Sequence, residues 1–250
     1  MTETVVVTAS AGAFPGLTAA LEKIPVSVEE RPLMRFAAPA DLNPLDAALE
    51  RLREYDAIAF TSPRAAEHLV ARLEMRGLEW PKEPGGPAVW ASGPQTAAAL
   101  KGRLGRVRLP VAQPGAKLGA AQALAGTMLE EGVSGPVLFP CGEAHREELP
   151  SELRGHGLVV DEIICYRSVL ADEAEARVAA SRGGVLVVAS PRVADLLARA
   201  CPRGNRPALV AVGPTTAESA RMAGWSPSAI ATEPSARALV SAVRTLLANR

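Results

Sequence analysis

The sequence has 250 residues, of which 48% are hydrophobic, and it carries 27 basic and 27 acidic side chains. This length and apolar content suffice for two modest cores. A formal net charge of zero excludes a global field that attracts nucleic acid or a membrane surface, so an acidic ligand must be bound by local donors.

The cysteines and the first residues indicate the compartment. Three cysteines, Cys141, Cys165 and Cys201, include no Cys-x-x-Cys pair and predict reduced thiols rather than a disulfide framework or a zinc site. The first residues lack the basic start and the long apolar run of a signal peptide. No apolar run reaches membrane-spanning length, so we expect a cytoplasmic protein.

Apolar strand-like runs alternate with helical patterns along the chain. Strands are predicted at residues 4–9, 26–31, 56–61, 88–91, 107–109, 136–140 and 158–166, and around residues 187, 210 and 229. Helices are predicted over residues 14–22, 94–101, 116–131 and 172–181. Two more helices are predicted to begin at Asn43-Pro44 and at Ser62-Pro63. Another follows the strand at residues 136–140 and ends at residue 154. Residues 32–39 are predicted to be less regular and residues 79–87 to form a loop. The alternation favours parallel sheets with helices on both faces.

Three stretches of the sequence occur twice, in the same order. Residues 211–217 read Ala-Val-Gly-Pro-Thr-Thr-Ala, and residues 91–97 read Ala-Ser-Gly-Pro-Gln-Thr-Ala. Upstream of each, Ser-Pro-Arg occurs at residues 62–64 and again at 190–192. Downstream, Gln-Pro-Gly-Ala-Lys at 113–117 corresponds to Glu-Pro-Ser-Ala-Arg at 233–237. Such a repeat predicts two domains of one fold.

The number of strands on each side of the repeat predicts how the domains share the chain. Residues 36–167 contain five predicted strands, whereas residues 168–250 contain only three. The missing two are supplied by residues 1–35, a strand–helix–strand segment that resembles residues 137–166. We therefore expect a discontinuous domain of residues 1–35 and 168–250 and an inserted domain of residues 36–167. Each should be a five-stranded parallel, doubly wound (flavodoxin-like) α/β sheet, and two crossing segments, near residues 32–39 and 166–168, should join them.

The repeated motifs predict where a ligand binds. In open parallel sheets, ligands bind beyond the carboxyl ends of the strands, where helix N-termini present free N–H groups. Each Ser-Pro and Gly-Pro helix start follows a predicted strand at such an end, and Gly213 is expected to permit a tight turn there. If the two domains face each other, the cleft between them suits a large, multiply anionic small molecule.

The permuted repeat and three sequence phrases are together similar to the uroporphyrinogen-III synthase family over the whole chain. The phrases are Ala-Phe-Thr-Ser-Pro-Arg at 59–64, Cys-Tyr-Arg at 165–167 and the stretch at 211–217. The resemblance implies a lyase of tetrapyrrole synthesis that closes hydroxymethylbilane into uroporphyrinogen III, inverting the last pyrrole ring and releasing water. It also implies no metal and no cofactor. The implied partner is this polycarboxylate alone, with no nucleic acid and no membrane, and the protein is expected to be a monomer.

The resemblance assigns some of the candidate site residues, and the predicted strand ends supply the others. Tyr166 matches the family's tyrosine beside the cleft, and the first copy of the repeat departs from the family pattern at Ser92 and Gln95. The substrate-binding candidates lie at strand ends and helix starts. They are Thr8, Ser10, Ser62, Arg64, Gly93, Thr96, Cys141, Gly142, Ser190, Gly213, Thr215 and Thr216. No metal ligands are expected.

The chemistry of the implied reaction fits these residue types. The carboxylate arms of the substrate can be bound by helix N-termini and hydroxyl groups without a basic surface. The departing hydroxyl needs a proton donor, and a phenol with the reference pKa of ~10 stays protonated at neutral pH, so Tyr166 is the candidate. The three histidines, His68, His145 and His156, show no partner spacing and are predicted to be surface residues.

Other interpretations of the same residues remain open. Ser-Pro and Gly-Pro-Thr-Thr are also ordinary helix starts, and Arg64 and Tyr166 can be a solvated and a packed side chain. A two-lobed protein that binds a polyanion without chemistry would share the cleft. A nucleotide- or sugar-phosphate-using transferase is a weaker alternative, because neither GxGxxG after a strand nor GxxxxGK[ST] is present.

Overall fold

A computed structural model describes residues 2–81, 85–111 and 119–249. The chain divides into two compact units. Unit 1 comprises Met1–Phe36 and Val169–Arg250, and unit 2 comprises Ala37–Ser168. These boundaries lie about one residue beyond those expected from the repeat. Both units combine helices with parallel strand pairs, so the predicted α/β class with parallel sheets is confirmed.

Strands and helices alternate along the chain. The strands are β1 (Glu3–Val7), β2 (Val26–Glu30), β3 (Met34–Ala37), β4 (Ala57–Phe60), β5 (Ala88–Ala91), β6 (Val107–Arg108), β7 (Val137–Gly142), β8 (Val160–Leu170), β9 (Val185–Val188), β10 (Ala208–Ala211) and β11 (Ala229–Ile230). The helices are α1 (Leu17–Leu21), α2 (Asn43–Glu50), α3 (Pro63–Arg76), α4 (Pro94–Leu100), α5 (Ala120–Glu130), α6 (Glu148–Gly155), α7 (Glu173–Ser181), α8 (Pro191–Ala200), α9 (Pro214–Met222) and α10 (Ala236–Ala248). A single 3₁₀ turn covers Leu52–Glu54.

Unit 1 has a five-stranded sheet in the order β11-β10-β9-β1-β2. Strand β1 pairs in parallel with β2 on one side and with β9 on the other. In this register Val6 is paired with Glu29 of β2 and with Leu186 of β9. The N-terminal segment therefore supplies two of the five strands, and one of them lies inside the sheet.

Unit 2 has a six-stranded sheet in the order β3-β8-β7-β4-β5-β6, where five strands were predicted. The extra strand, β3, lies in residues 32–39, which were predicted to be less regular. Its neighbour β8 continues to Leu170, beyond the predicted end at residue 166. The prediction was wrong because four residues give little periodicity, and the strand that β3 pairs with is remote in sequence. The two expected crossing segments are thus neighbouring strands.

Each sheet has an apolar core on both of its faces, as side chains alternate along buried parallel strands. In unit 1, Val6 and Leu186 belong to one core, whereas Val5 and Val187 belong to the other. In unit 2, Phe60 packs on one face of the sheet, and Phe139 belongs to the other core. Helices cover both faces of each sheet. A ligand can therefore reach the sheets at the strand ends.

Several predicted helix boundaries differ from the structure. Helix α1 is shorter than predicted, because the left-handed Gly16 (φ 77°) precedes its first residue. The cap of α2 is Leu42 rather than Asn43. The predicted start of the fifth helix at residue 116 and the repeat motif at 113–117 lie outside the described residues. Among the helices that the structure describes, none is long and apolar enough to cross a membrane.

An ion-pair network of partly exposed side chains joins α2 to α3 in unit 2. The Asp46 carboxylate accepts hydrogen bonds from Arg72 at 2.7 and 2.6 Å and forms an ion pair with Arg76 at 2.6 Å. The hydrogen bonds from Arg72 lower the pKa of Asp46 from 3.8 to about 2.

The sheet orders predict which fragments fold. Residues 34–170 contain every strand of the six-stranded sheet and should unfold cooperatively in urea, as followed by circular dichroism. Residues 169–250 alone should show no cooperative transition, because β1 and β2 are missing from their sheet. Adding residues 1–36 as a separate peptide is the control that should restore it. A cooperative transition of residues 169–250 without that peptide would contradict the prediction.

Asp46→Asn should lower the free energy of unfolding at pH 7. Since the folded pKa of Asp46 lies below the unfolded value, its contribution is complete above pH 4 and disappears as the pH falls toward about 2. The difference between wild type and variant in urea titrations should therefore shrink over that interval. Glu131→Gln, at the exposed residue that follows α5, is the control and should change the free energy of unfolding at pH 7 by less than about 0.5 kcal/mol. A difference that stays constant down to pH 2 would rule out this account.

Candidate active site

A pocket in unit 2 lies at the carboxyl ends of β4 and β7. Its wall includes Thr61 and Ser62 after β4, Cys141 and Gly142 at the end of β7, and Tyr166 of β8. Four predicted site residues, Ser62, Cys141, Gly142 and Tyr166, are thus brought together. The location agrees with the rule that ligands bind beyond the carboxyl ends of parallel strands.

An irregularity in the pairing of β7 with β8 places Tyr166 at this pocket. Cys141 is paired with Ile164, but the next residue, Gly142, is paired with Tyr166, so Cys165 is an extra residue in β8. As a result, Cys165 and Tyr166 pack against the same core although they are consecutive. Tyr166 was predicted to end its strand, but β8 continues to Leu170. Tyr166 is paired with Gly142, the last residue of β7.

The Tyr166 side chain contacts Ser62, His68 and the backbone of Gly142 in unit 2. Its hydroxyl lies 3.3 Å from Ser62 Oγ, and either atom can be the donor. Ser62 also caps α3, because its Oγ accepts a hydrogen bond from the backbone N–H of Ala65 at 3.4 Å. The His68 ring stacks on the phenol ring with centroids 5.5 Å apart and planes inclined by 21°.

The third neighbour of Tyr166 is the backbone of Gly142. A Cβ atom at position 142 would lie 2.6 Å from Cζ and 2.8 Å from the hydroxyl oxygen of Tyr166. Real Cβ atoms do not approach other heavy atoms so closely, so glycine leaves the space that the ring occupies. Gly142 therefore acts on the site through its missing side chain.

His145 connects Gly142 to a charged pair. Its Nδ1 lies 3.0 Å from the Gly142 carbonyl oxygen, and its Nε2 lies 2.6 Å from a Glu162 carboxylate oxygen. The other Glu162 oxygen is paired with Arg154 at 2.6 Å. Burial raises the pKa of Glu162, but the hydrogen bonds from Arg154 and His145 outweigh it and leave the pKa below its ordinary value.

The same group contains the atoms that could bind a metal ion. Donor atoms of His145, Glu147 and Glu162 lie within 4.8 Å of one another. Glu147 is largely exposed, and Glu162 already shares its carboxylate with Arg154. The charges of these side chains are therefore balanced within an ion-pair network that includes Arg154.

Cys141 contributes a neutral thiol to the pocket wall. It is buried, and burial raises its pKa to about 12, with smaller contributions from Glu162 and Glu147. Burial also raises the pKa of Cys165 to about 12. Because the thiolate is the nucleophilic form, neither side chain is suited to covalent catalysis near neutral pH. All three cysteines are free, as the sequence predicted.

The predicted threonines at strand ends and helix starts are mostly buried. Thr8 follows β1, and its hydroxyl donates a hydrogen bond to the carbonyl of Val187 at 2.9 Å. Thr96 and Thr216, in the first turns of α4 and α9, are only 4% and 3% exposed. Thr215, in contrast, is exposed.

The remaining candidates lie at helix starts and a loop. Ser190 precedes α8 and Ser10 follows β1, both in unit 1, and Arg64 is in the first turn of α3. Gly213 was expected to permit a tight turn, but its φ of 178° is extended backbone that any residue adopts. The same holds for Gly93, at −174°. Nothing lies within 4 Å of a Cβ built at either glycine, so these positions leave open space before α9 and α4.

The prediction that His68 and His145 are surface residues was wrong. Both are partly buried, and both contact residues of the pocket: His68 contacts Tyr166, and His145 contacts Gly142. His145 also has a ring contact with Phe139. No local signal marks the contact of His68, because Tyr166 lies on a strand that is distant in sequence. His145 is close in sequence to Gly142, but its loop gives no pattern that predicts the contact. His156 is exposed, as predicted.

Comparison with known protein families gives one match over most of the chain. The model of a family described as uroporphyrinogen-III synthase HemD matches residues 16–241. A curated relative, uroporphyrinogen-III synthase of Synechococcus elongatus, is 27% identical over 171 residues. That match covers 66% of this chain and 61% of the relative's length.

Solved structures show the same fold. The uroporphyrinogen-III synthetase of Helicobacter pylori is similar with a TM-score of 0.59 and 19% identity, and the match covers 100% of both chains. A mutant uroporphyrinogen III synthase of Thermus thermophilus has a TM-score of 0.57 and 17% identity, with 99% of this chain and 100% of that chain covered. At these identities the likeness concerns the fold alone.

Gly142→Ala should displace the Tyr166 ring, because the new methyl group would overlap it. We expect a loss of about 1–3 kcal/mol in the free energy of unfolding, as for other overpacked sites. In protein labelled with 3-fluorotyrosine, the ¹⁹F resonance of Tyr166 should shift. Gly126→Ala in α5 is the control, because no atom lies within 4 Å of a Cβ built there. It should leave the ¹⁹F resonance of Tyr166 unshifted and should not lower the free energy of unfolding. An unchanged resonance in Gly142→Ala would refute the close approach.

Proposed function

The chain belongs to the uroporphyrinogen-III synthase family, and we propose that it closes hydroxymethylbilane into uroporphyrinogen III. The reaction inverts the last pyrrole ring and releases water, as a lyase step of tetrapyrrole synthesis. The observation that carries this proposal is the pocket in which Tyr166 lies against Ser62 and Gly142. It joins the tyrosine that resembles the family's cleft tyrosine to residues from two other strand ends.

In this mechanism Tyr166 gives its phenolic proton to the departing hydroxyl. Ser62 Oγ lies at hydrogen-bond distance from the phenol oxygen, so its hydroxyl can donate to that oxygen and hold it at the pocket wall. As the carbon–oxygen bond breaks, the oxygen takes the proton and leaves as water, and the electrons of the adjacent pyrrole stabilise the cation. The substituted α-carbon of the last pyrrole forms a carbon–carbon bond to this cation, and its older bond to the neighbouring methylene then breaks. The released methylene cation bonds to the unsubstituted α-carbon of the same, now inverted ring. That carbon loses its proton, which restores the phenol.

Substrate carboxylates are bound mainly by backbone N–H groups at helix starts. Ser62, Ser190 and Gly213 precede α3, α8 and α9, where N–H groups have no partner within the helix. The exposed hydroxyl of Thr215 adds a donor. Thr8, Thr96 and Thr216 are buried, so they act by fixing the backbone of strand ends and first turns. Arg64, in the first turn of α3, adds a positive charge.

The two units are two copies of one flavodoxin-like domain. Counted in chain order within unit 1, the sheet order is 2-1-3-4-5, the order found in flavodoxin. In unit 2, β7 and β8 take the places of β1 and β2, and β4, β5 and β6 take those of β9, β10 and β11. The strands β3 and β8 are the two linkers. We further propose a cytoplasmic monomer that needs no cofactor and no partner other than its substrate.

Tyr166→Phe should lower turnover on the order of 10²-fold while changing KM little, since a positioned proton donor acts in the transition state. The measurement is a coupled assay with hydroxymethylbilane that separates the type I and type III isomers. Tyr55→Phe is the matched control, because Tyr55 is the other tyrosine of the chain and its hydroxyl bonds Asp161 at 2.7 Å, away from the pocket wall. Tyr55→Phe should keep the wild-type turnover.

Two outcomes would contradict the proposal. If wild-type protein binds hydroxymethylbilane but forms no type III isomer above the spontaneous background, the proposed activity is wrong. If Tyr166→Phe keeps nearly full turnover, the phenol is a packing residue and the pyrrole electrons expel the hydroxyl unaided.

A further inference from the structure

His68 has no role in the mechanism above, yet it covers one face of the Tyr166 ring. It lies in the second turn of α3, six residues after the Ser62 cap, and its imidazole is stacked at 5.5 Å and 21°. Residues of α3 with its cap and of β7 thus hold the phenol. Ser62 lies at its hydroxyl, the Gly142 backbone lies against Cζ and Cε2, and His68 lies on the ring face.

These contacts restrict different motions. The axis from Cβ to the phenolic oxygen passes through the ring, so rotation about it leaves the oxygen in place. A hydrogen bond from Ser62 therefore does not define the ring plane. The stack with His68 defines the ring plane, because rotation of the phenol ring breaks the stack. A phenolic O–H prefers to lie in the plane of its ring through conjugation, so the ring plane decides where the proton points.

We propose that His68 is a positioning residue that fixes the plane of the Tyr166 ring and so directs its O–H toward the substrate's departing hydroxyl. This inference rests on the proposed role of Tyr166 as proton donor. A misaligned donor would bind substrate normally but transfer its proton less often, because proton transfer needs correct geometry in the transition state. The effect of His68 should consequently appear in kcat rather than in KM.

The surroundings of His68 favour a neutral ring. Burial lowers the pKa of His68 below the ordinary 6.5; among nearby charges, Glu67 raises it and Arg64 lowers it further. Both charges are on α3, and the titratable group that faces the imidazole from β8 is Tyr166 itself. Burial thus favours the uncharged form of the imidazole, and the stacked ring serves as a flat surface rather than as an acid or a base.

A pair of substitutions separates the ring contact from imidazole chemistry. His68→Ala removes the stack and should lower kcat about tenfold, with KM within twofold of wild type. His68→Phe keeps a flat ring at this position and should retain kcat within about twofold. His156→Ala, at an exposed histidine, is the matched control and should leave both constants unchanged. Thermal melts of all variants confirm that they are folded at the assay temperature.

A second measurement tests the contact without activity. The chain has two tyrosines, so 3-fluorotyrosine labelling gives signals that Tyr55→Phe assigns. The ¹⁹F resonance of Tyr166 should shift in a pH titration, with an inflection below pH 6.5 from His68. The inflection should vanish in His68→Phe and persist in His156→Ala.

The outcomes are distinct. The inference is overturned if His68→Ala keeps full kcat, if His68→Phe loses as much as His68→Ala, or if the inflection is absent from the wild type. Tyr166→Phe is assayed alongside. A silent Tyr166→Phe refutes the proposed role of the tyrosine and this inference with it, whereas an impaired Tyr166→Phe with a silent His68→Ala refutes the inference alone.

Discussion

The extra residue in β8 is the constraint on which the candidate site depends. A regular parallel pair would continue the alternation of faces, and Tyr166 would then lie on the opposite face from Cys165. The shift after Cys141 puts both residues on the side of α3. There the phenol can contact Ser62 and His68, which are on that helix and its cap. Gly142 completes the arrangement, since any side chain at this position would occupy the space of the ring.

The discontinuous unit poses a folding problem that the neighbouring strands β3 and β8 reduce. Strand β1 must pair with β9, more than 170 residues later, and closing such a loop costs conformational entropy. The sheet of unit 2 is contiguous in sequence, and it contains both β3 and β8 as neighbours. Once this sheet has formed, the chain ends that lead to β1 and β9 are already close.

The sequence predicted features that depend on local pattern and on the repeat. Strand positions followed from apolar runs, and helix starts at Ser62 and Pro214 followed from capping chemistry. It did not predict β3, the extension of β8 or the extra residue at Cys165, because these depend on pairing between remote segments. The predicted conformation of Gly213 was wrong for a related reason. A Gly-Pro pair before a helix permits a tight turn but does not require one, and here the backbone is extended.

The same distinction explains the candidate site. The sequence predicted that Ser62, Cys141 and Gly142 lie close together because strand ends of a parallel sheet meet at one edge, and it singled out Tyr166 through the family resemblance. His68 and His145 were missed, since a histidine in a helix or a loop carries no sequence mark of the strand that it contacts.

The charge distribution constrains how this chain can bind an acidic ligand. Several arginines are engaged with carboxylates of the protein itself, as in the pairs of Arg72 with Asp46 and Arg154 with Glu162. With a formal net charge of zero, the chain has no overall positive field that attracts a polyanion from a distance. Backbone N–H groups at helix starts do not depend on such a field, and they are fixed in direction by the helix that follows. A site built from fixed dipoles orients a ligand more than it attracts it. That suits a reaction in which a flexible chain must be brought into one ring-closing geometry, where positioning supplies much of the rate.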